Sequence, residues 1–396
     1  MKWEKVKLGD VCEITSSKRI FYSEYVDDGV PFYRSKEIIE SDEGKIIENP
    51  LYISVDKYNE IKEKFGVPQT GDMLLTSVGT IGIPYIIKKK DCFYFKDGNL
   101  TWFRDFREGL NSKYLYYWIK SSEGTGTLYN TTIGSSQKAL TISALKNIKV
   151  SLPPRSVQDK IVEVVSVYDD LIENNQKQIK LLEEAAQRLY KEWFVDLCFP
   201  GHENTEIVDG VPEGWNEKTL SQVANVIMGQ SPKSEFYNSE KKGLPFHQGV
   251  GSYGVRFVMD DIYSTSYTRI AEPNSILFSV RAPVGRLNIT KNKVVIGRGL
   301  AAINQTDGCQ SYLYYLLKNK FFKDNIVGNG SIFASVSKDE LLNQKFLIPE
   351  RNLMMQFEKI VSQMDKQIEN LDSKNKKLIE ARDRLLPKLM SGEVEV

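Results

Sequence analysis

The sequence predicts an α+β chain built twice over: two mixed globular domains, each followed by a long helix, with an internal pseudo-twofold repeat. Three observations carry that expectation. The first is a duplicated helix, DLIENNQKQIKLLEEAAQRLYKEWF at 170–194 and KQIENLDSKNKKLIEARDRLLPKLM at 366–390, at an offset of 196 (366 − 170). The second is a series of paired blocks in the same order. WEKVKLGDV (3–11) matches WNEKTLSQV (215–223), and GDMLLTSVGTIGIPYII (71–87) matches PNSILFSVRAPVGRLNI (273–289). YLYYWIKS (114–121) matches YLYYLLKN (312–319), and GTGTLYNTTIG (124–134) matches GNGSIFASVS (328–337). The third is that each half closes on an apolar strand and proline, KVSLPP (149–154) and KFLIP (345–349), before the helix begins. Repeats of this kind decide architecture before local propensity does.

The elements follow in chain order. Residues 1–152 form a first domain, 153–198 a first helix, 199–214 a linker, 215–348 a second domain and 349–396 a second helix. DMLLTSVG and NSILFSVR read as alternating runs ended by glycines, which is a strand signal. YLYYWIKS and YLYYLLKN are short helices whose tyrosines recur at core-facing spacing. FPGHENTEIVDGVPEGW (199–215) is rich in Pro, Gly and acid, the composition of a connector.

In the first long helix the apolar stripe runs through Ile161, Val165, Tyr168, Ile172, Asn175, Ile179, Leu182, Ala186, Leu189 and Trp193, with steps alternating four and three. Adding 196 gives Phe357, Val361, Met364, Ile368, Leu371, Asn375, Leu378, Arg382, Leu385 and Leu389. That period is the one of a coiled-coil seam. An antiparallel pairing in which facing positions sum to about 550 sets Ile161 against Leu389, Ile172 against Leu378 and Asn175 against Asn375. The two asparagines then share a layer, where a polar residue fixes register. At about 1.5 Å per residue, about 33 residues make a rod of roughly 50 Å. Trp193 and Phe194 are large apolar groups near a rod end, and so candidates for docking a partner.

Composition excludes several classes. Net charge is +1, modest for a stand-alone DNA-binding domain. Cys12, Cys92, Cys198 and Cys309 form no CxxC pair and only His202 and His247 are available beside them, so no metal site is expected and a reducing, cytoplasmic setting fits. No apolar run approaches the roughly 20 residues of a membrane span, and MKWEKVKLGD has no signal-peptide core. There is no GxxxxGK[ST] loop, no strand–GxGxxG–helix unit, and no Asp or Asn immediately before the double proline of SLPPR, as a DNA aminomethyltransferase would need. The chain reads as non-catalytic.

This layout resembles the specificity subunit of type I restriction–modification systems. The resemblance rests on the duplicated Trp-led start, on GDMLLTSVGTIG with SILFSVRAPVG, on GSSQKALTISALKNIKVSLPP (134–154), and on QRLYKEWFVDLCFPGHE (187–203) followed by GVPEGW. It implies that each domain is a target recognition domain reading one half of a bipartite sequence in double-stranded DNA. The helices would form an antiparallel coiled coil that sets the spacer. Two methyltransferase subunits would bind the chain and carry S-adenosylmethionine and the catalytic residues. Restriction subunits, using ATP and Mg, could join them. No cofactor is expected in this chain. The second half departs from the pattern, since GSSQKALTIS becomes GSIFASVSKDE, so Gln137 and Lys138 are carried over for the first domain alone.

Arg and Lys read guanine, and Asn and Gln read adenine, through paired hydrogen bonds in the major groove. On that basis the candidate DNA-reading residues of the first domain are Arg34, Ser35, Lys36, Ser77, Thr80, Ser136, Gln137 and Lys138. In the second they are Gln248, Arg256, Arg281, Arg286, Arg298 and Ser331. PFYRSK and PFHQGV sit at matching places and differ, as two domains reading different half-sites should. The residues expected in the coiled coil or at a partner surface are Ile161, Val165, Ile172, Asn175, Ile179, Leu182, Leu189, Trp193, Phe194, Val361, Ile368, Asn375, Leu378 and Leu385. Two other readings stay open: a coiled-coil scaffold that joins proteins without touching DNA, and a self-contained enzyme.

Overall fold

The computed structural model describes residues 3–42, 44, 47, 49–134, 138–321 and 335–396. The chain divides into two compact units, one of residues 1–177 with 372–396 and one of residues 178–371. Ser136, Gln137 and Ser331 lie outside the described residues.

In the first unit a four-stranded antiparallel sheet has the order Glu13–Thr15, Leu100–Arg104, Met73–Thr76, Pro84–Ile86. A second sheet runs Tyr25–Val26, Leu51–Ile53, Val30–Tyr33, Tyr94–Phe95, its last pair parallel. The strand Met73–Thr76 is buried on both faces, and its alternation sorts side chains between two cores. Met73 and Leu75 join Phe103, Tyr114 and Trp118 on the side of the helices, while Leu74 joins Phe95 and Trp102 on the other. The tyrosine helix, Ser112–Lys120, buries Tyr114, Tyr117 and Trp118, and is capped by Asn111, whose side chain accepts from the backbone N–H groups of Lys113 and Tyr114.

The second unit repeats the scheme. Its first sheet is Ala224–Met228, Leu300–Gln305, Ile276–Ser279, Leu287–Ile289. Its second sheet gains a strand: Tyr237–Asn238, Tyr263–Ser264, Leu244–His247, Val294–Ile296, Ile270–Ala271. Ile276 and Phe278 face the helix-side core, and Leu277 faces the other. In both units the opening strand pairs with the strand that leads into the long helix, Glu4–Lys7 with Lys149–Leu152 and Asn216–Thr219 with Lys345–Ile348. Each domain is thereby closed at the root of its helix.

The long helices are Arg155–Phe194 and Arg351–Ser391. The first starts directly after Pro153 and Pro154, where a missing N–H costs nothing. Within the first unit, Ile161 and Val165 pack with Leu386 and Leu389, and Arg382 pairs with Asp169 at 2.6 Å. Asn175 Nδ2 donates to Asn375 Oδ1 at 2.8 Å, at the positions that sum to 550 (175 + 375), and both side chains are buried. Ile172 is buried beside them, and Leu378 and Leu385 are half-buried.

Within the second unit, Ile179, Ala186, Val361, Ile368 and Phe357 share one core, with Leu182 and Leu189 partly buried against it. Toward the domains, full burial passes from Leu189 to Tyr190 and from Leu385 to Leu386, one residue along. A straight helix drifts by about 20° per heptad against a strict 3.5 repeat, so a stripe that leaves its helix partner for a domain core moves this way. Trp193 and Phe194 are not an open docking patch. Trp193 is 7% exposed, and Phe194 packs edge-on against Tyr312 and Phe357, because the second domain's aromatic core closes over this end of the helix.

Asn175→Leu alone leaves the Asn375 amide buried without its side-chain partner, and the cost is expected to be about 1–3 kcal/mol. Asn175→Leu with Asn375→Leu exchanges the pair for apolar contact and should recover or exceed the original stability. Denaturant midpoints of the full chain decide this, and a double variant less stable than either single one would rule out the shared layer.

Candidate nucleic-acid interface

In the first unit the candidate residues fall on two sheets. Arg34 leaves the end of Val30–Tyr33 and precedes the helix Ser35–Asp42. Its guanidinium is fixed by Glu37, with Nη2 at 2.6 Å and Nε at 3.2 Å, and its own N–H also donates to Glu37 at 2.7 Å. The Arg34 side chain remains 43% exposed, so it is braced and still presented. Lys36 is exposed and 3.7 Å from Glu40. Ser35 is half-buried, with its hydroxyl unpaired.

Thr80 is exposed on the turn that joins Met73–Thr76 to Pro84–Ile86. Bridges from Val78 and Ile133 to Ala139 bring Lys138 beside that turn. The Lys138 ammonium lies 3.6 Å from the centre of the exposed Tyr129 ring and holds that phenol below its ordinary pKa. Ser77 does not belong to this surface. It is 1% exposed, and its hydroxyl is 2.6 Å from that of Thr101, a core pair that joins two strands.

In the second unit Gln248, Arg298 and Ser231 come together. Ser231 Oγ donates to Gln248 Oε1 at 2.7 Å and accepts from the Arg298 N–H at 3.2 Å. Gln248 and Arg298 are both exposed. The glycines flanking Arg298 make this possible: a Cβ at Gly299 would lie 2.5 Å from the Gln248 carbonyl oxygen, and one at Gly297 would lie 2.5 Å from Gln248 Oε1. Arg281 is exposed at the end of Ile276–Ser279, opposite Ser335. Arg286 is half-buried on the same hairpin and lines a concavity of about 480 Å³ with Tyr253, Val255 and Tyr314.

Arg256 is corrected outright. It is 3% exposed, with one nitrogen 2.5 Å from Asp365 and another 3.5 Å from Glu183, and its guanidinium stacks 3.9 Å from the Tyr314 ring centre. Burial works against its charge, but Tyr314, Asp365, Tyr315 and Glu183 together hold its pKa above the usual value. A guanidinium buried among these groups cannot reach a base edge, even though its Nε–H makes no hydrogen bond of its own.

Sequence reasoning passed over Tyr129 and the exposed Phe21 and Tyr22. GTLYN and RIFYSE look like ordinary mixed segments, and only the fold shows that these rings stay outside the cores.

The chain therefore carries two similar α+β domains, each joined to stretches of two long helices and each presenting its own polar cluster. A family described as the type I restriction modification DNA specificity domain matches residues 1–184 and again 212–381, and the chain belongs to that family. It is 28% identical over 404 residues to a putative type I restriction enzyme MjaX specificity subunit from Methanocaldococcus jannaschii, spanning 100% of this chain and 94% of that protein. It is also 28% identical over 421 residues to the type I restriction enzyme MjaIX specificity subunit of the same organism, again over 100% and 94%. The crystal structure of a type I restriction–modification system S subunit from M. genitalium has a similar fold, with a TM-score of 0.59 at 18% identity over 98% of this chain and 96% of that one.

Glu37 sets an acid limit on the Arg34 site. Burial raises its pKa, but the Arg34 guanidinium and backbone N–H outweigh this and bring it below the ordinary glutamate value. A depressed carboxylate contributes stability above its unfolded pKa of about 4.3, and that contribution is lost as pH falls through the folded value. Glu37→Gln is expected to remove this part of the acid dependence and to cost about 1–3 kcal/mol at neutral pH. Thermal midpoints of both proteins from pH 3 to 7 test it, and parallel curves would show that Glu37 is uncoupled from folding.

Proposed function

We propose that this chain is the non-catalytic specificity subunit of a type I restriction–modification methyltransferase complex, in which each domain reads one half of a bipartite DNA target. The observation that carries this is that one DNA specificity family matches both halves of the chain, once per domain. The presented groups support it: Arg34, Lys36, Thr80 and Lys138 on the first unit, Gln248, Arg281 and Arg298 on the second. Arginine and glutamine pair bidentately with guanine and adenine, so two such sets on different backbones suit two different half-sites.

The long helices act as an antiparallel coiled coil that spaces the half-sites. The Asn175–Asn375 bond and the Asp169–Arg382 pair support that direction. Methyltransferase subunits, two per chain, would supply S-adenosylmethionine and the chemistry, and restriction subunits would supply ATP-driven cleavage. With a net charge of +1, this chain leaves much of the phosphate neutralisation to those partners.

The test is the methylated motif in cells that express this chain with its methyltransferase subunit, read against cells that lack the chain. A two-part motif that disappears with the chain is expected. An assembled complex with no motif dependent on the chain would favour a scaffold that joins proteins only.

A further inference from the structure

Each unit contains one aspartate knot at equivalent places in the repeat. Asp169 and Asp365 lie 196 apart (365 − 169), and Tyr117 and Tyr315 hold the same position in YLYYWIK and YLYYLLK. In the first unit the Tyr117 hydroxyl donates to Asp169 Oδ2 at 2.7 Å, and Arg382, from the second long helix, donates to Oδ1 at 2.6 Å. In the second unit the arginine comes from elsewhere. Arg256, in the segment after the strand Leu244–His247, donates to Asp365 at 2.5 Å, to the Tyr315 hydroxyl at 3.3 Å and to Glu183 at 3.5 Å. Its guanidinium covers Tyr314.

The corresponding segment of the first unit makes a tie of opposite sign. There Asp42, at the end of the helix that follows Arg34, accepts from the Tyr116 hydroxyl at 2.9 Å and from Lys120 at 3.0 Å. Tyr116 and Tyr314 are equivalent in the repeat. So the segment that follows PFYRSK or PFHQGV is fastened to the tyrosine helix in both units, by a carboxylate in one and by a guanidinium in the other.

Gln248 and Arg256 belong to one restrained loop. His247, the last residue of the strand Leu244–His247, ties that loop to the sheet, with Nδ1 2.8 Å from Ser252 Oγ and Nε2 3.1 Å from Asp260. A planar guanidinium held by two carboxylates and an aromatic face has a single good geometry, unlike an apolar contact that can slide.

We propose that Arg256 is a positioning residue for recognition by the second unit: it locks the loop that bears Gln248 to the two long helices and so fixes where Gln248 meets a base. This rests on the specificity-subunit reading above. It also implies that the segments after PFYRSK and PFHQGV are not interchangeable between the units, because their anchors have opposite charge.

The test uses the full chain with its methyltransferase subunit and reads the methylated motif. Arg256→Met alone leaves two half-buried carboxylates without their cation and is expected to lower the melting temperature. Arg256→Met with Glu183→Met and Asp365→Leu removes every charge of the knot and should restore the melting temperature. A merely structural role predicts that this triple variant also restores the motif. A positioning role predicts a stable complex in which base discrimination is lost at the second half-site while the first half-site is unchanged. Arg256→Lys keeps the charge without the fork and is expected to show the same one-sided loss. An unchanged motif in the triple and lysine variants, or a loss equal at both half-sites, overturns the proposal. Failure of the underlying reading is seen separately, as the absence of a two-part motif with the unsubstituted chain.

Discussion

Asn175 and Asn375 are buried amides in a mainly apolar seam, and the Asn175 side chain donates to that of Asn375. A heptad slip would set Asn175 against Ile368 or Arg382 and Asn375 against Tyr168 or Leu182, breaking the amide pair, at a cost of about 1–3 kcal/mol for every orphaned polar group. The bond therefore selects one register from several that the apolar stripe would tolerate. With that register set, Asp169 meets Arg382, and the same aspartate is in reach of Tyr117 from the first domain. The pairing of the helices and the seating of the domain are thus settled by adjoining contacts.

The domains are built to be held from one side. In each, a central strand is buried on both faces, with one face toward the helices and one toward the second sheet. The sheet nearer the helices carries Thr80 or Arg281 at its hairpin, and the other ends at Arg34 or Gln248. Exposed polar groups on short turns are positioned by strands that cannot move without opening a core, which is how a rigid scaffold supports a binding surface.

Much of this was readable because it repeats. The two long helices, the apolar strands before them and the buried tyrosines follow from matched blocks and from periodicity. What was not readable depends on partners distant in sequence. Arg256 sits in GSYGVRF, which looks like an exposed glycine loop, but its carboxylate partners lie 73 and 109 positions away. Ser77 ends a strand in a glycine-rich turn, and only Thr101, 24 positions along, reveals it as a core residue. Trp193 and Phe194 look exposed on a helical stripe until Phe357 of the second long helix and Tyr312 of the second domain are placed beside them. Conversely, the polar contact of Gln248 with Ser231 and Arg298 is a product of the fold alone, since it joins three separate segments.

The most direct measurement is the methylated motif produced with a chain altered in one unit only, by Arg34→Ala, Lys36→Ala, Thr80→Ala and Lys138→Ala together. If each domain reads its own half-site, discrimination is lost in one half, while the other half and the gap between them are kept. If both halves degrade together, or neither changes in an assembled complex, the division of reading between two independent domains is wrong.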